Sequence, residues 1–451
     1  MIRKLVIVSA FFVVTSVAFA QDNNTAKQLS LQDCIKIALA KNTTVLQSQY
    51  QAESQNAKVL SAYGGLLPTL SASGQFGYTD QESPVGTRSF DGIVIQTSGG
   101  TTINRQYQAG VNAGYTLFNG FANYAAINSA VSSGQSADLS YQRSKQTAVY
   151  QATQNYLAVF NARDQLRISE DNLKRDQQQL ETIKEQNTVG SSSLADVYQQ
   201  QAVVSADEYS LVQAQNTYDQ AQASLKFFLG VPVTDTIAFV DSTVKTEIDT
   251  TEFTKVDQQF NQSAQLLDEA LEARPDYQAA IQSLNASKSS RGVADAEYSP
   301  TISAFAQYGI NGPETNQIDQ NKTFYGGVTF SLPIFNGFQT QADIQVADVA
   351  VKSSEQTLDA TRRQVQLDVY QALLNLHASE KQYEAGVNQV ASGKINLETA
   401  QEKFRIGGAT LLDVLTANAQ YTQALSNQVI AAYSYIQAKQ QIEFAIGKIN
   451  Y

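Results

Sequence analysis

The sequence FNG at residues 118–120 begins a stretch that ends with FLG at residues 228–230, and this stretch occurs twice. The second copy begins with FNG at 335–337 and ends with AIG at 445–447. Both ends are displaced by 217 positions (337 less 120, and 447 less 230), so the copies align without a gap. Insertions are common in loops and rare in packed helices, so the constant length predicts rigid helices.

Apolar residues recur every seven positions within both copies. They are Val159, Leu166, Leu173 and Leu180 in the first copy, and Leu376, Tyr383, Val390, Leu397 and Phe404 in the second. A strict seven-residue spacing predicts helices packed in a left-handed supercoil. Residues 121–188 contain no proline, and a helix of that length would reach roughly 100 Å at about 1.5 Å per residue. No compact domain is that long, although a cytosolic coiled-coil rod remains an alternative at this point.

Residues 1–20 have the pattern of a secretory signal peptide. Arg3 and Lys4 precede an apolar run, and AFA at 18–20 is typical of a cleavage site. The apolar run is shorter than the ~20 residues that a membrane span needs, which disfavours an anchor. The only cysteine, Cys34, excludes an internal disulfide framework, and we expect it to be a packed, inert thiol.

The composition excludes a nucleic-acid partner and favours an uncharged polar surface. The formal net charge is −11, which becomes −13 when Arg3 and Lys4 are removed, and there is no basic patch. Only 16% of the residues are charged. No segment after the signal peptide has eighteen consecutive apolar residues, so a chain that spans a membrane would do so with strands.

Four short segments alternate between apolar and polar residues. They lie at residues 69–79, 104–118, 301–308 and 323–332. Alternation over about ten residues predicts strands with one apolar and one polar face. The polar faces carry almost no charge, and tyrosine and phenylalanine cluster towards the strand ends, as in the wall of a membrane barrel. A soluble antiparallel sheet with a packed core is the alternative.

Four strands are too few to close a barrel, since the smallest membrane barrels have about eight. Open sheet edges in lipid would leave backbone groups unpaired. We therefore expect the chain to assemble, with two copies giving 8 strands and three giving 12. Turn-rich loops join the strands of each pair, the first containing Asp91-Gly92, and we expect both loops to face outside the cell.

The chain is thus predicted to contain two structural repeats after the signal peptide. The first, 21–230, comprises a helix from Ser30 to about Tyr63, a strand pair at 68–118 and a long helical hairpin at 120–230. Residues 231–262 lack a heptad pattern and are expected to form an equatorial linker. The second repeat, 263–451, comprises a helix, a strand pair at 300–335 and a long helical hairpin at 337–447.

This arrangement resembles the TolC family of outer-membrane channel proteins over essentially the whole mature chain. The resemblance implies an α+β membrane protein, in which a trimeric 12-strand transmembrane β-barrel in the outer membrane is continuous with a periplasmic helical coiled-coil barrel. It further implies an exit duct for multidrug efflux or type I secretion. The expected partners are two further copies of the chain, a periplasmic adaptor, and an inner-membrane pump of the RND, ABC or MFS type.

The resemblance also assigns roles to the hairpin tips. Glycines 190 and 407 are expected to end the long helices, and family members dock their adaptor at these tips. The implied adaptor contacts are Val189, Gly190, Ser191 and Leu194 in the first tip, and Ile406, Gly407, Gly408 and Leu411 in the second. The alternative is that these residues only close the hairpins.

Two aspartates match positions of the family's periplasmic gate. Asp413 matches a carboxylate that lines the closed aperture, where three copies would attract cations. Asp196 matches a residue that helps to hold the closed state, but its usual tyrosine and arginine partners are replaced here by Phe404 and Ala409. Arg405 is a possible substitute. The alternative is that both aspartates are solvated charges at helix N-termini.

The sequence predicts no catalytic residue, metal site or cofactor. The only histidine, His377, lies on a heptad helix without a neighbouring ligand cluster, and there is no phosphate-binding glycine loop. A barrel enzyme such as an outer-membrane lipase would need an activated serine beside a histidine, and His377 is far from every strand. An adhesive stalk is the remaining alternative, but a stalk needs no duplicated strand pair.

Overall fold

A computed structural model describes residues 27–97, 99–240, 247–248, 253 and 263–449. The helices are α1 (Leu31–Lys41), α2 (Thr43–Gly64), α3 (Ala122–Thr188), α4 (Leu194–Phe228), α5 (Ser263–Ala273), α6 (Pro275–Asp295), α7 (Gln339–Arg405) and α8 (Leu411–Ala445). The strands are β1 (Lys27–Leu29), β2 (Thr69–Ser83), β3 (Gly86–Phe90), β4 (Ile93–Thr97), β5 (Gly100–Asn119), β6 (Ile237–Phe239), β7 (Thr301–Gly312) and β8 (Asn321–Ser331). The expected signal peptide and most of the expected linker lie outside the described residues.

The helices α3 and α7 each have 67 residues, and α4 and α8 each have 35. Equal lengths are what a gap-free repeat requires. The seven-residue seam lies inside the helical layer: Val159, Leu166 and Leu180 are buried, as are Leu376, Tyr383 and Leu397. Burying this apolar seam is the main contribution that holds such long helices together. Among the described helices, none combines the length and the apolar character of a membrane span.

The helix expected from Ser30 to Tyr63 is divided at Asn42. Ser30 begins α1 as expected, in a capping box with Asp33. The Asn42 carboxamide oxygen then accepts hydrogen bonds from the backbone N–H groups of Thr44 and Val45, and its nitrogen donates to the carbonyl of Phe228 at 3.0 Å. Asn42 therefore begins α2 and also caps the end of α4.

The second repeat is divided at the corresponding place. Arg274 separates α5 from α6, and Pro275 occupies the first turn of α6, where its missing N–H costs no hydrogen bond. The Arg274 guanidinium donates to the Ala445 carbonyl at 3.3 Å, near the end of α8. In each repeat, then, the short helix is interrupted where the second helix of the long hairpin ends.

Arg274 also forms the most buried ion cluster among the described residues. Its side chain is 3% exposed and lies 2.6 Å from Asp276 and 2.7 Å from Asp368. Arg143 lies 3.5 Å from Asp276 and packs over the ring of Phe444. Burial alone would raise the pKa of Asp276, but its hydrogen bond to Arg274 and the two arginine charges lower the pKa below its usual value.

The large sheet has the strand order β2-β5-β7-β8, and all of its neighbouring strands are antiparallel. A smaller antiparallel pair, β3 with β4, extends the first loop, where the sequence analysis expected only turns. Asp91 and Gly92 both have positive φ (51° and 80°) and form its two-residue turn, the conformation that an Asp-Gly pair favours. A β-bulge near Leu117 shifts the register at the end of β5, so that Phe118 faces Ile302 on the neighbouring strand.

The first long hairpin begins directly after β5, whereas the second begins seven residues after β8, and each is entered through two successive left-handed residues. Gly120 and Phe121 have φ of 65° and 67°, and Gly337 and Phe338 have φ of 68° and 67°. Phenylalanine is unfavourable in this conformation, so other contacts must hold it there. In both turns the phenylalanine packs edge-on against the last aromatic residue before the helix, with ring centroids 5.5 and 5.4 Å apart.

Cys34 is fully buried in the cluster where α1 packs against α3 and α4. Burial, with a smaller contribution from the charge of Asp33, raises the pKa of the thiol to about 12. The thiolate is the reactive form of cysteine. Cys34 is therefore an inert packing residue, as expected from its position early in the first helix.

Candidate functional site

The polar face of the four-stranded sheet is concave and encloses about 650 Å³. Four carboxamide side chains stand in one row across the four strands, because Gln75 is opposite Gln108, Gln108 is opposite Asn311, and Asn311 is opposite Asn321. Asn321 donates a hydrogen bond to Asn311 at 3.0 Å. Carboxamides both donate and accept hydrogen bonds and carry no net charge. This surface can therefore be wet without selecting strongly for either sign of ion.

The opposite face of the same sheet is apolar and exposed. Leu70, Ala113, Ala306 and Gly326 lie in one row across all four strands. Phe324, Val328 and Phe330 on the edge strand β8 are exposed to the surroundings of the protomer. One apolar outer face and one uncharged inner face are the arrangement of a membrane barrel wall.

The long hairpins turn through the same backbone motif. The N–H of Ser191 donates to the carbonyl of Gln186, and the N–H of Gly190 donates to that of Asn187. Gly408 and Gly407 make the matching bonds to Lys403 and Phe404. The two central glycines have φ of 79° and 78°, which only glycine adopts without strain. The expected helix ends at Gly190 and Gly407 are thus confirmed.

Some of the expected adaptor contacts at the tips are exposed and one of them is buried. Val189 is 78% exposed, Ile406 67% and Leu194 59%. Leu411 is only 3% exposed, so it fills the hairpin interior and cannot offer a contact surface in this conformation. Its neighbour Leu412 is exposed instead. The repeat offset aligns Leu411 with exposed Leu194, and the different packing at the two tips was not evident from sequence.

Both aspartates predicted to belong to the gate are capping residues in the structure. The Asp196 carboxylate accepts from the N–H and hydroxyl of Ser193 at 2.9 and 2.7 Å, and Asp413 accepts from those of Thr410 at 2.8 and 2.7 Å. These hydrogen bonds lower the pKa of both carboxyls below its usual value. Both side chains are therefore charged at neutral pH, and each completes a capping box that begins a helix.

The other two predicted gate residues do not replace the missing partners of Asp196 within one protomer. The Arg405 guanidinium makes two hydrogen bonds to Glu402 on its own helix, at 2.6 and 2.9 Å. Phe404 is half-buried at the end of α7. At the corresponding place in the first tip, Asn187 donates to the Ser192 carbonyl at 2.8 Å and ties the turn together.

Sequence reasoning missed a polar cluster inside the helical layer, where α3, α4 and α8 meet beside a cavity of about 580 Å³. Buried Asp176 of α3 accepts hydrogen bonds from Gln200 of α4 at 3.0 Å and from Asn418 of α8 at 2.8 Å. Arg175 and Asn172 extend the network to α8. The sequence did carry a sign of this cluster, since Arg175, Asp176 and Gln200 have small residues as their repeat counterparts.

His377 is exposed on α7, and its Nδ1 lies 2.8 Å from the carbonyl of Leu373 on the same helix. The described part of the chain contains no group of three or more histidine, cysteine or acidic residues that could hold a metal ion. The features with a clear geometric role are therefore the two-faced sheet and the hairpin tips.

The family model of the outer membrane efflux protein matches residues 34–231 and 266–448. The chain is 27% identical over 379 residues to outer membrane protein TolC of Vibrio cholerae, covering 79% of this chain and 82% of that protein. It is 24% identical over 424 residues to the pyoverdine export outer membrane protein OpmQ of Pseudomonas putida, covering 92% and 85%.

Solved structures show the same fold. The crystal structure of the outer membrane protein VceC from Vibrio cholerae superposes with a TM-score of 0.75 at 17% identity, covering 92% of this chain and 96% of that one. The predicted fold class is confirmed, since the chain also superposes on the crystal structure of CusC, which is described as forming a transmembrane channel, with a TM-score of 0.76 at 19% identity over 92% of each chain. The soluble-sheet and cytosolic-rod alternatives are thereby excluded.

Proposed function

Because the chain belongs to the outer membrane efflux protein family, whose members are the exit ducts of tripartite efflux systems, we propose that it conducts substrates passively to the cell exterior. The chain lies in the outer membrane, and its partners are an inner-membrane pump and a periplasmic adaptor. The observation that carries the proposal is the sheet, in which an uncharged concave face backs an apolar exposed face. No catalytic step is part of this proposal.

The sheet also supports the manner of assembly. In one protomer β2 and β8 lie at the two edges of the large sheet. Unpaired backbone groups are prohibitively costly in lipid, so these edges must pair with neighbouring protomers. Three protomers supply the 12 strands expected for the barrel, and their concave faces then enclose one common lumen.

Docking of the adaptor at the hairpin tips is the second part of the proposal. It is supported by the exposure of Val189, Leu194 and Ile406, three apolar side chains that are each more than half exposed in one protomer. Exposed apolar residues of this kind mark interaction surfaces when they cluster. Leu412 takes the place of Leu411 in this surface.

A photo-crosslinking amino acid at Val189 or at Ile406 is expected to capture the periplasmic adaptor in intact cells. A matched probe at Leu60, which is equally exposed but lies on α2, serves as the control. We expect about tenfold or more adaptor in the crosslinked product at the tips, since a docking surface concentrates its contacts in a few residues. Equal capture at Leu60, with the adaptor identified by mass spectrometry, would contradict tip docking.

A carboxylate ring at the periplasmic aperture is the third part, with Asp413 as its member. Asparagine at this position keeps a carbonyl oxygen for the Thr410 cap and removes only the charge. Purified Asp413→Asn trimers in a planar bilayer are expected to lose cation selectivity and to bind blocking divalent ions about tenfold or more weakly.

Asp196→Asn is the matched comparison, because Asp196 has the same capping role at the other tip but matches a position that holds the closed state, not one that lines the aperture. It is expected to keep the divalent block of the parent. An unchanged block in Asp413→Asn would remove Asp413 from the aperture and leave the conduit intact. Absence of current from verified trimers of the parent and of both variants would contradict the conduit itself.

A further inference from the structure

The polar cluster where α3, α4 and α8 meet contains two carboxylates on facing helices. Asp176 is 3% exposed, and both of its oxygens accept hydrogen bonds from carboxamides. Asp207 approaches it from α4 and lines the same cavity. The Oδ2 atom of Asp207 is buried and has no hydrogen-bond partner. A buried, unpartnered carboxylate oxygen beside a second carboxylate is unfavourable unless one of the two carries a proton.

The charged groups around the pair do not neutralise it. From α3, Arg175 opposes the repulsion at a distance, but its guanidinium is engaged by Asn172, Asn418 and Thr422. Facing the cavity, α4 contributes only Asp207 as a charged group, and α8 contributes amide, hydroxyl and apolar side chains. The ring of Tyr421 lies under Arg175. The two carboxylates therefore face a single cation, and the guanidinium of that cation is already hydrogen-bonded to other residues.

The second repeat shows that a hairpin of this kind closes without such a pair. With the displacement of 217 positions, Asp176 and Asp207 correspond to Gly393 and Ala424, and Gln200 corresponds to Ala417. There α7 and α8 pack closely, since a Cβ on Gly393 would lie 3.4 Å from the Cα of Tyr421. The carboxylate pair therefore does something in the first hairpin that helix packing alone does not require.

We propose that Asp176 and Asp207 form a proton-binding pair whose single shared proton fastens α4 to α3 at the α8 contact, and that release of the proton loosens this junction. With the proton present, Asp207 Oδ2 donates to Asp176, and the buried oxygen gains the partner that it lacks. With the proton lost to solvent, two anions face each other in a partly buried site. The proposal concerns the junction and stands independently of conduction through the lumen.

The direction of the pH effect follows from the pKa of Asp207. Burial first, and then the neighbouring Asp176, raise this pKa to about 7, above the ordinary value of an aspartate. A group whose pKa is higher in the folded state stabilises at low pH, and that contribution is lost as the pH rises through the folded pKa. The junction is therefore tighter in mildly acidic solution and looser above neutral pH.

Hydrogen exchange of the α4 backbone in purified trimers tests the proposal. Asp207→Asn carries a permanent N–H donor where the proton would be, and Glu208→Gln removes a charge from the adjacent exposed residue. At each pH the exchange rate of the parent is divided by that of the variant measured at the same pH. The intrinsic pH dependence of amide exchange is the same for both chains and cancels in this ratio. Between about pH 5.5 and about pH 8.5, the ratio of parent to Asp207→Asn rates is expected to rise on the order of tenfold.

Glu208→Gln is expected to follow the parent at both pH values. A ratio that does not change with pH, or a Glu208→Gln variant that behaves like Asp207→Asn, would overturn the proposal. If Asp207→Asn fails to assemble, infrared spectroscopy of the parent decides instead. At mildly acidic pH we expect the carbonyl band of a protonated carboxylic acid, both in the parent and in Glu208→Gln. This band is expected to disappear as the pH rises through about 7. A parent that lacks the band at mildly acidic pH would overturn the proposal.

Discussion

A Gly120→Ala chain is expected to unfold with a free energy about 3 kcal/mol or more below that of the parent, because two penalties add at one residue. The first is the left-handed backbone, with φ of 65°. The second is steric: a Cβ at this position would overlap the Cβ of Ser299 and would lie 2.9 Å from the carbonyl oxygen of Ala296. Ser299 cannot easily move, since its N–H is bonded to that same carbonyl and Pro300 follows it.

Gly190→Ala is the control that separates these penalties. Gly190 has φ of 79°, but a Cβ there would meet no atom within 4 Å. It is expected to cost about 1–2 kcal/mol, the backbone penalty alone. Chemical unfolding of the trimers in detergent measures both variants. Equal losses would mean that Ser299 gives way, and Ser299→Gly combined with Gly120→Ala is expected to recover part of the loss.

Arg274→Met is expected to cost about 3 kcal/mol of unfolding free energy, because it leaves two partly buried carboxylates without their buried partner. Methionine fills a similar volume but donates no hydrogen bond. Asp276 and Asp368 would lose contacts of 2.6 and 2.7 Å, and the Ala445 carbonyl would lose a donor near the end of α8. Arg143 and the backbone N–H of Tyr277 would remain beside Asp276, and Gln364 would remain beside Asp368.

The matched control is Arg291→Met, which breaks the ion pair with Asp348. Both of those side chains are more than 40% exposed, so water replaces the lost contact. We expect a loss below about 1 kcal/mol, as is usual for surface ion pairs. The same unfolding measurement serves both variants. Similar small losses in the two would show that Asp276 and Asp368 reach solvent once Arg274 is gone.

The sequence predicts those parts of the fold that follow from a period. Alternation over residues 69–79 predicts β2, and the seven-residue seam from Val159 to Leu180 predicts α3, because a regular element repeats one local geometry. The lengths of the hairpins follow as well, since the copies align without a gap. The helices, the strands and their duplication therefore follow from the sequence pattern, whereas the channel followed from the family resemblance.

What the sequence did not predict depends on contacts between distant residues. Asn42 interrupts the first helix because its side chain meets the end of α4. Its hydrogen bonds with Thr44 and Val45 are local, but an asparagine alone is too weak a sign to predict the interruption. Pro275, by contrast, was a usable sign of the matching interruption in the second repeat. Leu411 is buried because of how α7 packs at its own tip, and its repeat partner Leu194 is not.

The site residues divide in the same way. A motif match places Asp196 and Asp413 at the tips, and the structure adds that each of them begins a helix. The pairing of Asp176 with Asp207 brings two helices together across a hairpin, and heptad spacing describes only the apolar residues of such an interface. Polar residues on the same face are visible only when the helices are placed side by side.

Because the four-stranded sheet has two open edges, each chain can form a closed wall only together with its neighbours. A closed wall needs both β2 and β8 of every protomer, so one chain with a damaged edge disables the two sound chains that assemble with it. In a cell that makes both forms, the damaged allele is dominant, and the yield of intact channels falls more steeply than the share of sound protein.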